Sequence, residues 1–193
     1  MRRYIIFALA MGAVSHQGTA DERHIPYAGL ENRELATLSE SDIAELEAGR
    51  GWGFALAAEL NGHPGPAHVL ELTEDLDLSA NQIARMELIF KEMQEEAVAR
   101  GAEFIASERA LNAAFVLGGL SARELVTLVN AAGNARANLR FVHLSSHLQT
   151  LDVLTMEQID RYNFLRGYSD DPCVNVPEGH DEAMWRRHNG CDH

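Results

Sequence analysis

A long apolar repeat, with residues spaced alternately three and four positions apart, constrains this chain more than any other feature of its sequence. It begins at Ser79 and predicts one long helix whose seam packs at a shallow angle against a partner helix. Gly118 and Gly119 end it, and a second such repeat runs from about Ser121 to Leu151. This short break between two long helices predicts an antiparallel hairpin. The seam positions are Ile83, Met86, Phe90, Met93, Ala97, Gly101, Phe104, Glu108, Leu111 and Phe115, followed by Leu125, Leu128, Ala132, Ala135, Leu139 and Val142.

Three short motifs predict where helices begin. Ser79 to Gln82, Ser121 to Glu124 and Thr155 to Gln158 each pair a hydroxyl with a Gln or Glu three residues later. This pattern is typical of a capping box, in which the two side chains satisfy the first free backbone N–H groups. The third box predicts a final short helix that Gly167 closes. No window alternates with period two, so the predicted fold class is all-α.

Upstream of the hairpin, the sequence predicts short helices between glycines. Ser39 to Ala48 predicts one of them, and Pro66 favours the start of another that runs to Asp75. In the glycine-rich segment between these helices, we expect Trp52 and Phe54 to pack onto the body of the protein. The domain boundaries that we predict are 1–20 for a signal peptide, 21–65 for an N-terminal extension, 66–167 for the helical hairpin and 168–193 for a tail.

The first twenty residues match a secretory signal peptide. Arg2 and Arg3 precede the short apolar stretch 4–14, and residues 18–20 place small side chains before a cleavage point after Ala20. No other stretch approaches a transmembrane length. We therefore expect a soluble mature protein outside the cytoplasm, and the alternative is that this segment is a buried N-terminal helix.

The net charge and the cysteine content limit the kinds of partner and ligand that we expect this chain to bind. The formal net charge of −13 disfavours nucleic acid and anionic membranes, and it tolerates cations and basic partners. The two cysteines, Cys173 and Cys191, both lie in the tail. In an exported protein we expect them to form a disulfide, and a thiolate metal site is the alternative.

Some apolar residues of the long helices lie away from the seams and need a cover. A single hairpin does not bury both faces of its helices, so the flanking helices or a second copy of the chain must cover these residues. We expect a homodimer. The residues in question are Ile89, Ile105, Leu144, Leu148 and Leu151.

Two of the capping boxes follow a leucine and read Leu78-Ser-Ala-Asn-Gln82 and Leu154-Thr-Met-Glu-Gln158. One precedes the hairpin and one follows it. Together with the signal peptide, this arrangement resembles the Spy/CpxP family of periplasmic proteins, whose relatives include the heavy-metal proteins CnrX and ZraP. The resemblance covers roughly residues 66–166. It implies a hooked four-helix hairpin, usually dimeric, in a bacterial periplasm.

The resemblance implies one of two functions. The first is transition-metal binding in heavy-metal sensing or resistance and envelope stress, with a membrane-anchored signalling partner as a candidate receiver. The second is that of an ATP-independent chaperone or stress adaptor that binds unfolded periplasmic proteins. The acidic charge and the cysteine-bearing tail depart from the chaperone pattern and favour the first.

Two histidines of the second long helix are the leading metal-ligand candidates. His143 and His147 are four residues apart, so they project from one helix face and can share a transition metal ion. The alternative is that they are ordinary interface histidines. The resemblance to CnrX-like proteins implies a His-x-x-x-Met pair at this place, of which the present pair is a His-x-x-x-His version. It also implies histidines at the start of the hooked helix, where His68 lies.

The resemblance also implies a second histidine on that helix. This sequence has none there, because the corresponding position is Leu72. The remaining ligand would then be Glu71, His63 or an acidic residue of the facing helix. If the turn centres near Gly118, facing positions sum to about 238. This register makes Glu92 and Glu96 candidates for a mixed nitrogen and oxygen site suited to Zn, Ni, Co or Cu. The alternative is a solvated acidic helix face.

No motif for catalysis assembles in this sequence. The serine-hydrolase elbow, the zinc-protease helix motif and the Walker motif are all absent. We therefore expect a binding protein, and not an enzyme.

Overall fold

Two long helices dominate a computed structural model that describes residues 27–170, 173, 174, 176, 179–188 and 191. The predicted signal peptide lies outside the described residues. In chain order, a 3₁₀ turn at Leu30–Asn32 is followed by the helices α1 Glu40–Glu47, α2 Leu56–Glu59, α3 Pro66–Glu71, α4 Ala80–Leu117, α5 Ala122–Leu151, α6 Met156–Leu165 and α7 Glu182–His188. The part of the chain that the structure describes contains no β-strand, which confirms the all-α prediction. None of its helices is both long enough and apolar enough to cross a membrane.

The hairpin forms where the sequence predicted it. Helices α4 and α5 pack together along their length and are separated at Gly118 and Gly119, whose φ angles of 73° and 72° suit glycine. Each of the three predicted capping boxes is present, at Ser79, Ser121 and Thr155. A fourth begins α1, where Ser39 pairs with Asp42.

The segments before α4 and after α5 pack along the hairpin from its open end to about Arg109 of α4 and create two apolar clusters. In the first cluster, Leu46 of α1 and Phe54 pack against Phe104 and Ile105 of α4 and Leu139 of α5. The predicted packing of Trp52 and Phe54 onto the body is confirmed. In the second cluster, Val69 of α3 packs with Met86 of α4 and with Ile159 and Tyr162 of α6, among other residues.

The flanking segments cover most of the apolar residues that lie off the seams. Ile105 is 2% exposed within the first cluster, and Ile89 and Leu151 pack against the second. Leu148 remains 59% exposed. The expectation of a homodimer therefore draws no support from Ile89, Ile105 and Leu151, because the chain covers them by itself.

Helix α3 is shorter than predicted. It ends at Glu71, whereas the sequence indicated a helix to Asp75. The backbone turns between Leu72 and Leu78, where Asp77 has a φ angle of 48°. This turn brings Leu76 and Leu78 into the second cluster, and burial of these two side chains outweighs the local helical preference.

The tail is closed by a disulfide between Cys173 and Cys191, with a sulfur–sulfur distance of 2.05 Å. This confirms the expected disulfide, and a thiolate metal site is excluded while the bond is intact. Arg186 of α7 donates to the carbonyl of Cys173 at 3.2 Å. The short helix α7 is thereby tied to the start of the disulfide loop.

A pair of glutamines joins the two capping boxes at the open end of the hairpin. Nε2 of Gln82 donates to Oε1 of Gln158 at 2.7 Å and to the carbonyl of Val153 at 3.0 Å. Nε2 of Gln158 donates to the carbonyl of Leu76 at 3.1 Å. The side chains that cap α4 and α6 therefore also hold the first turns of these helices together.

Replacing Gln82 with leucine is expected to lower the free energy of unfolding by about 2 kcal/mol. The substitution removes the helix cap and the two part-buried hydrogen bonds to Val153 and Gln158. The matched control is Glu124→Leu, which removes a capping side chain at the far end of the hairpin that makes no such cross-link. It is expected to cost about 1 kcal/mol. Urea unfolding followed by circular dichroism measures both, and equal losses would show that the glutamine pair adds nothing beyond its capping role.

Candidate functional site

A cleft of about 510 Å³ lies between the α2–α3 segment and the paired long helices. We call it the base cleft, since it lies in the half of the hairpin nearer the open end. Helix α5 contributes His143 and His147, one turn apart on the same face. The other lining residues used below are Glu59, Gly65, His68 and Glu71.

His143 is a buried histidine with an unused nitrogen. The residue is 4% exposed, its ring stacks on Phe54 at a centroid distance of 6.2 Å, and its Nε2 has no hydrogen-bond partner. Burial lowers the pKa of His143, and the neighbouring charge of His147 lowers it further. At neutral pH the ring is therefore neutral, and it has a lone pair free for a ligand.

His147 is held in one tautomer by the chain in front of it. Its Nδ1 lies 2.6 Å from the carbonyl oxygen of His63. Because a carbonyl only accepts, Nδ1 carries the proton, and the lone pair of the neutral ring is on Nε2. The residue is 6% exposed, so both histidines of the pair present their available nitrogens from a largely dry surface.

The absence of a side chain at Gly65 leaves space beside this ring. A Cβ atom at Gly65 would lie 2.9 Å from Nε2 of His147 and 3.5 Å from Oε2 of Glu59. The distance to His147 is too short for any side chain at this position, whereas the distance to Glu59 is an ordinary contact. Glycine therefore keeps open a small volume between an imidazole nitrogen and a carboxylate oxygen.

Glu59 is a buried carboxylate that the sequence analysis missed. Its Oε1 accepts from the hydroxyls of Tyr162 and Tyr168, the latter at 3.2 Å, and lies 3.7 Å from Nε of Arg166. Its Oε2 has no hydrogen-bond partner and lies 3.8 Å from Nδ1 of His147. Burial is the main cause that raises the pKa of Tyr162, followed by its hydrogen bond to Glu59, so this phenol remains a donor.

Of the other predicted ligands near this site, His68 and Glu71 line the same cleft as the histidine pair, and His63 does not. His68 and Glu71 line the outer part of the base cleft, where Nδ1 of His68 lies 3.0 Å from Oε2 of Glu71 and both side chains are exposed. The ring of His63 points to the carbonyl of Asn61 at 2.9 Å. The chain thus brings His68 to the same cleft as the pair, whereas His63 reaches the pair through its backbone carbonyl alone.

Glu92 and Glu96 line a different groove of about 450 Å³, on another side of the hairpin. Glu96 pairs there with Arg100 at 2.8 Å. Across the described ranges, no three side chains of His, Cys, Asp or Glu lie close enough together to hold a metal ion. The base cleft therefore offers two imidazole nitrogens and one carboxylate oxygen whose distances would have to shorten around an ion.

The depressed pKa of His143 predicts how stability responds to acid. The unfolded chain takes up a proton near pH 6.5 and the folded chain only at lower pH, so stability is fully present above about pH 6.5 and falls as the pH drops below it. In His143→Gln this part of the pH dependence is expected to vanish, because the glutamine side chain does not titrate. Urea unfolding of the metal-free protein between pH 5 and pH 8 measures it. A slope that persists in His143→Gln would assign the effect to another group.

The chain matches no protein-family model, no curated protein and no solved structure.

Proposed function

We propose that this protein binds a transition metal ion in the base cleft and serves heavy-metal sensing or resistance in the periplasm. The observation that carries the proposal is the unpartnered Nε2 of His143, which is buried on the wall of the same cleft as His147. Buried polar atoms without a partner are rare in folded proteins, and a ligand is one of the few explanations for them. A hooked four-helix hairpin of the Spy/CpxP type, made of α3 to α6, is part of this proposal.

The donor set fits such an ion. Two neutral imidazoles with Glu59 or Glu71 give the nitrogen and oxygen ligands that Zn, Ni, Co and Cu(II) accept. His147 donates its Nδ1–H to the carbonyl of His63, and histidines that ligate a metal usually donate their other ring nitrogen in this way. The exposed side chain of His68 can approach from the cleft mouth, which makes it the candidate third nitrogen ligand.

Calorimetric titration of residues 21–193, purified without a tag, with Zn, Ni, Co and Cu tests the proposal. We expect tight binding of at least one ion, and a loss of affinity of about 100-fold or more in the double variant His143→Ala/His147→Ala, because losing two ligands costs more than losing a group that only hydrogen-bonds to a ligand. The matched control is Glu92→Gln/Glu96→Gln, in the separate groove, which is expected to bind as the wild type does. Unchanged metal binding in the histidine variant would contradict the assignment of the ion to the base cleft. Loss of metal binding in the control would assign the ion to the groove instead.

A chaperone or stress adaptor is the second candidate, and a separate observation favours it. Phe141 and Leu148 are 69% and 59% exposed on α5, and Phe141 lines the 450 Å³ groove that the short helices leave open. Exposed apolar side chains around a groove are typical of surfaces that bind other chains. Suppression of client aggregation by the metal-free protein, lost in Phe141→Ser, would favour this function over metal binding.

A further inference from the structure

The end of the hairpin near its turn is less buried than the rest of the hairpin. Residues 106–131, which we call the distal arm, contain no buried residue, and both apolar clusters lie outside it. Its seam residues Leu111, Leu125 and Leu128 are only half-buried. Helices are stable in water when an apolar stripe is buried against another element. The described contacts of the N-terminal segment with this arm, Thr37 with Glu108 and Glu34 with Arg109, are polar.

Large apolar side chains are exposed at the end of this arm. Phe115, Val116 and Leu117 are 62%, 79% and 85% exposed, and Val126 and Val129, three residues apart on α5, are 60% and 49% exposed. We call these five residues the tip patch. Single exposed apolar residues are ordinary, but five at one end of a rod form a surface of the kind that marks an interaction site.

The charge distribution separates this end from the rest of the chain. Residues 110–135 contain one arginine and one glutamate, and the stretch Ala110 to Ala122 contains no charge. Residues 59–78, next to the open end of the hairpin, contain five acidic residues and no lysine or arginine. Like charges within a screening length of about 8 Å repel each other, so an acidic chain approaches a copy of itself at lowest cost through the neutral tip.

We propose that the tip patch is a self-association surface, through which a second copy of this chain packs its own tip in an isologous, end-to-end dimer. A two-fold arrangement lets each pair of helix ends cover the apolar side chains of the other pair. It also places the acidic segment 59–78 of each copy near the start of α4, a helix of 38 residues and about 57 Å, and so away from the contact. This inference does not depend on the metal site.

The size of the patch limits the strength of the dimer. Ten side chains from two copies bury an area at the low end of specific interfaces, roughly 1,000 to 1,200 Å². Contacts of this size are weak or transient, so we expect a dissociation constant on the order of micromolar. The dimer should resist added salt, because apolar contacts hold it and salt screens the remaining repulsion.

Sedimentation velocity of residues 21–193 over a range of concentrations tests the proposal. We expect a monomer–dimer equilibrium that is weakened at least tenfold in Val116→Glu/Leu117→Glu, whose side chains are exposed in the monomer and so do not disturb its fold. The matched control is Leu88→Glu/Leu148→Glu, two leucines that are 55% and 59% exposed near the other end of the hairpin. It is expected to associate as the wild type does.

Cross-linking tests the geometry. A cysteine in place of Ala122, exposed beside the turn, is expected to form a disulfide between copies under mild oxidation, whereas a cysteine in place of Ala84, exposed near the start of α4, is not. Dimers linked through position 84 and not through position 122 would indicate side-by-side packing and overturn the end-to-end arrangement.

Three results would reject self-association at the tip. The first is a wild-type monomer at concentrations of several hundred micromolar. The second is binding of this monomer to vesicles of zwitterionic phosphatidylcholine that the tip variant loses, which would assign the patch to lipid. The third is suppression of client aggregation by the monomer that only the tip variant loses, which would assign it to unfolded chains.

Discussion

Replacing Gly101 with alanine is expected to destabilise the protein by about 1–3 kcal/mol, the usual cost of overpacking a tight contact. A Cβ atom at Gly101 would lie 2.5 Å from the backbone oxygen of Leu46. The atom in the way belongs to the main chain of α1, so no side-chain rotation relieves the clash. Helix α1 must shift, and Leu46, 1% exposed in the first apolar cluster, must shift with it.

Gly133 is the matched control for this substitution. It also lies within a long helix, but a Cβ atom there would meet nothing within 4 Å. Gly133→Ala should therefore stabilise the protein by about 0.5–1 kcal/mol, through the helical preference of alanine alone. Urea unfolding of the two variants measures opposite signs if the contact between α1 and α4 is as close as described. Stabilisation by both substitutions would show that α1 does not press against Gly101.

The second large loss of stability is expected from Tyr162→Phe. Tyr162 is fully buried and donates its hydroxyl to the carboxylate of Glu59, which is 6% exposed. The substitution keeps the ring and removes the donor, so a buried charge loses a hydrogen bond. We expect a loss of about 1.5–3 kcal/mol, the range for hydrogen bonds to charged groups.

Tyr168→Phe is the companion substitution, since Tyr168 donates to the same oxygen at 3.2 Å from a half-buried position. Water can replace this hydroxyl, so a loss of no more than about 1 kcal/mol is expected. A double-mutant cycle of Tyr162→Phe with Glu59→Gln isolates the pair and should give a coupling energy of about 1 kcal/mol or more. Additive effects would mean that the hydroxyl and the carboxylate do not interact in solution.

Local signals in the sequence were enough to predict the hairpin. The spacing of three and four, interrupted at Gly118, defines two helices by periodicity alone, and the capping boxes at Ser79 and Ser121 mark their first residues. These signals act within one or two turns of helix, so they do not depend on the tertiary structure. These local signals did not predict the early end of α3, because it follows from burial of Leu76 and Leu78 against a distant helix.

The candidate site was only partly predictable, for two physical reasons. The register of the hairpin gives the level of Glu92 and Glu96 along the axis but not the face they occupy, and they line a groove other than the cleft of His143 and His147. Glu59 belongs to a four-residue helix without periodicity, and its partner Tyr162 lies 103 residues further along the chain. The one local hint is an acidic residue within the otherwise apolar stretch from Phe54 to Leu60.

The glutamine pair between α4 and α6 has a consequence for the kinetics of folding. Gln82 and Gln158 are 76 positions apart, and they meet only after the chain has passed along α4 and returned along α5. Closing a loop of this length is entropically costly until the hairpin has formed, which places the contact late in folding. Contacts absent from the transition state act on the rate of unfolding, and not on the rate of folding. The amide pair should therefore set how long the folded hairpin persists more than how quickly it forms.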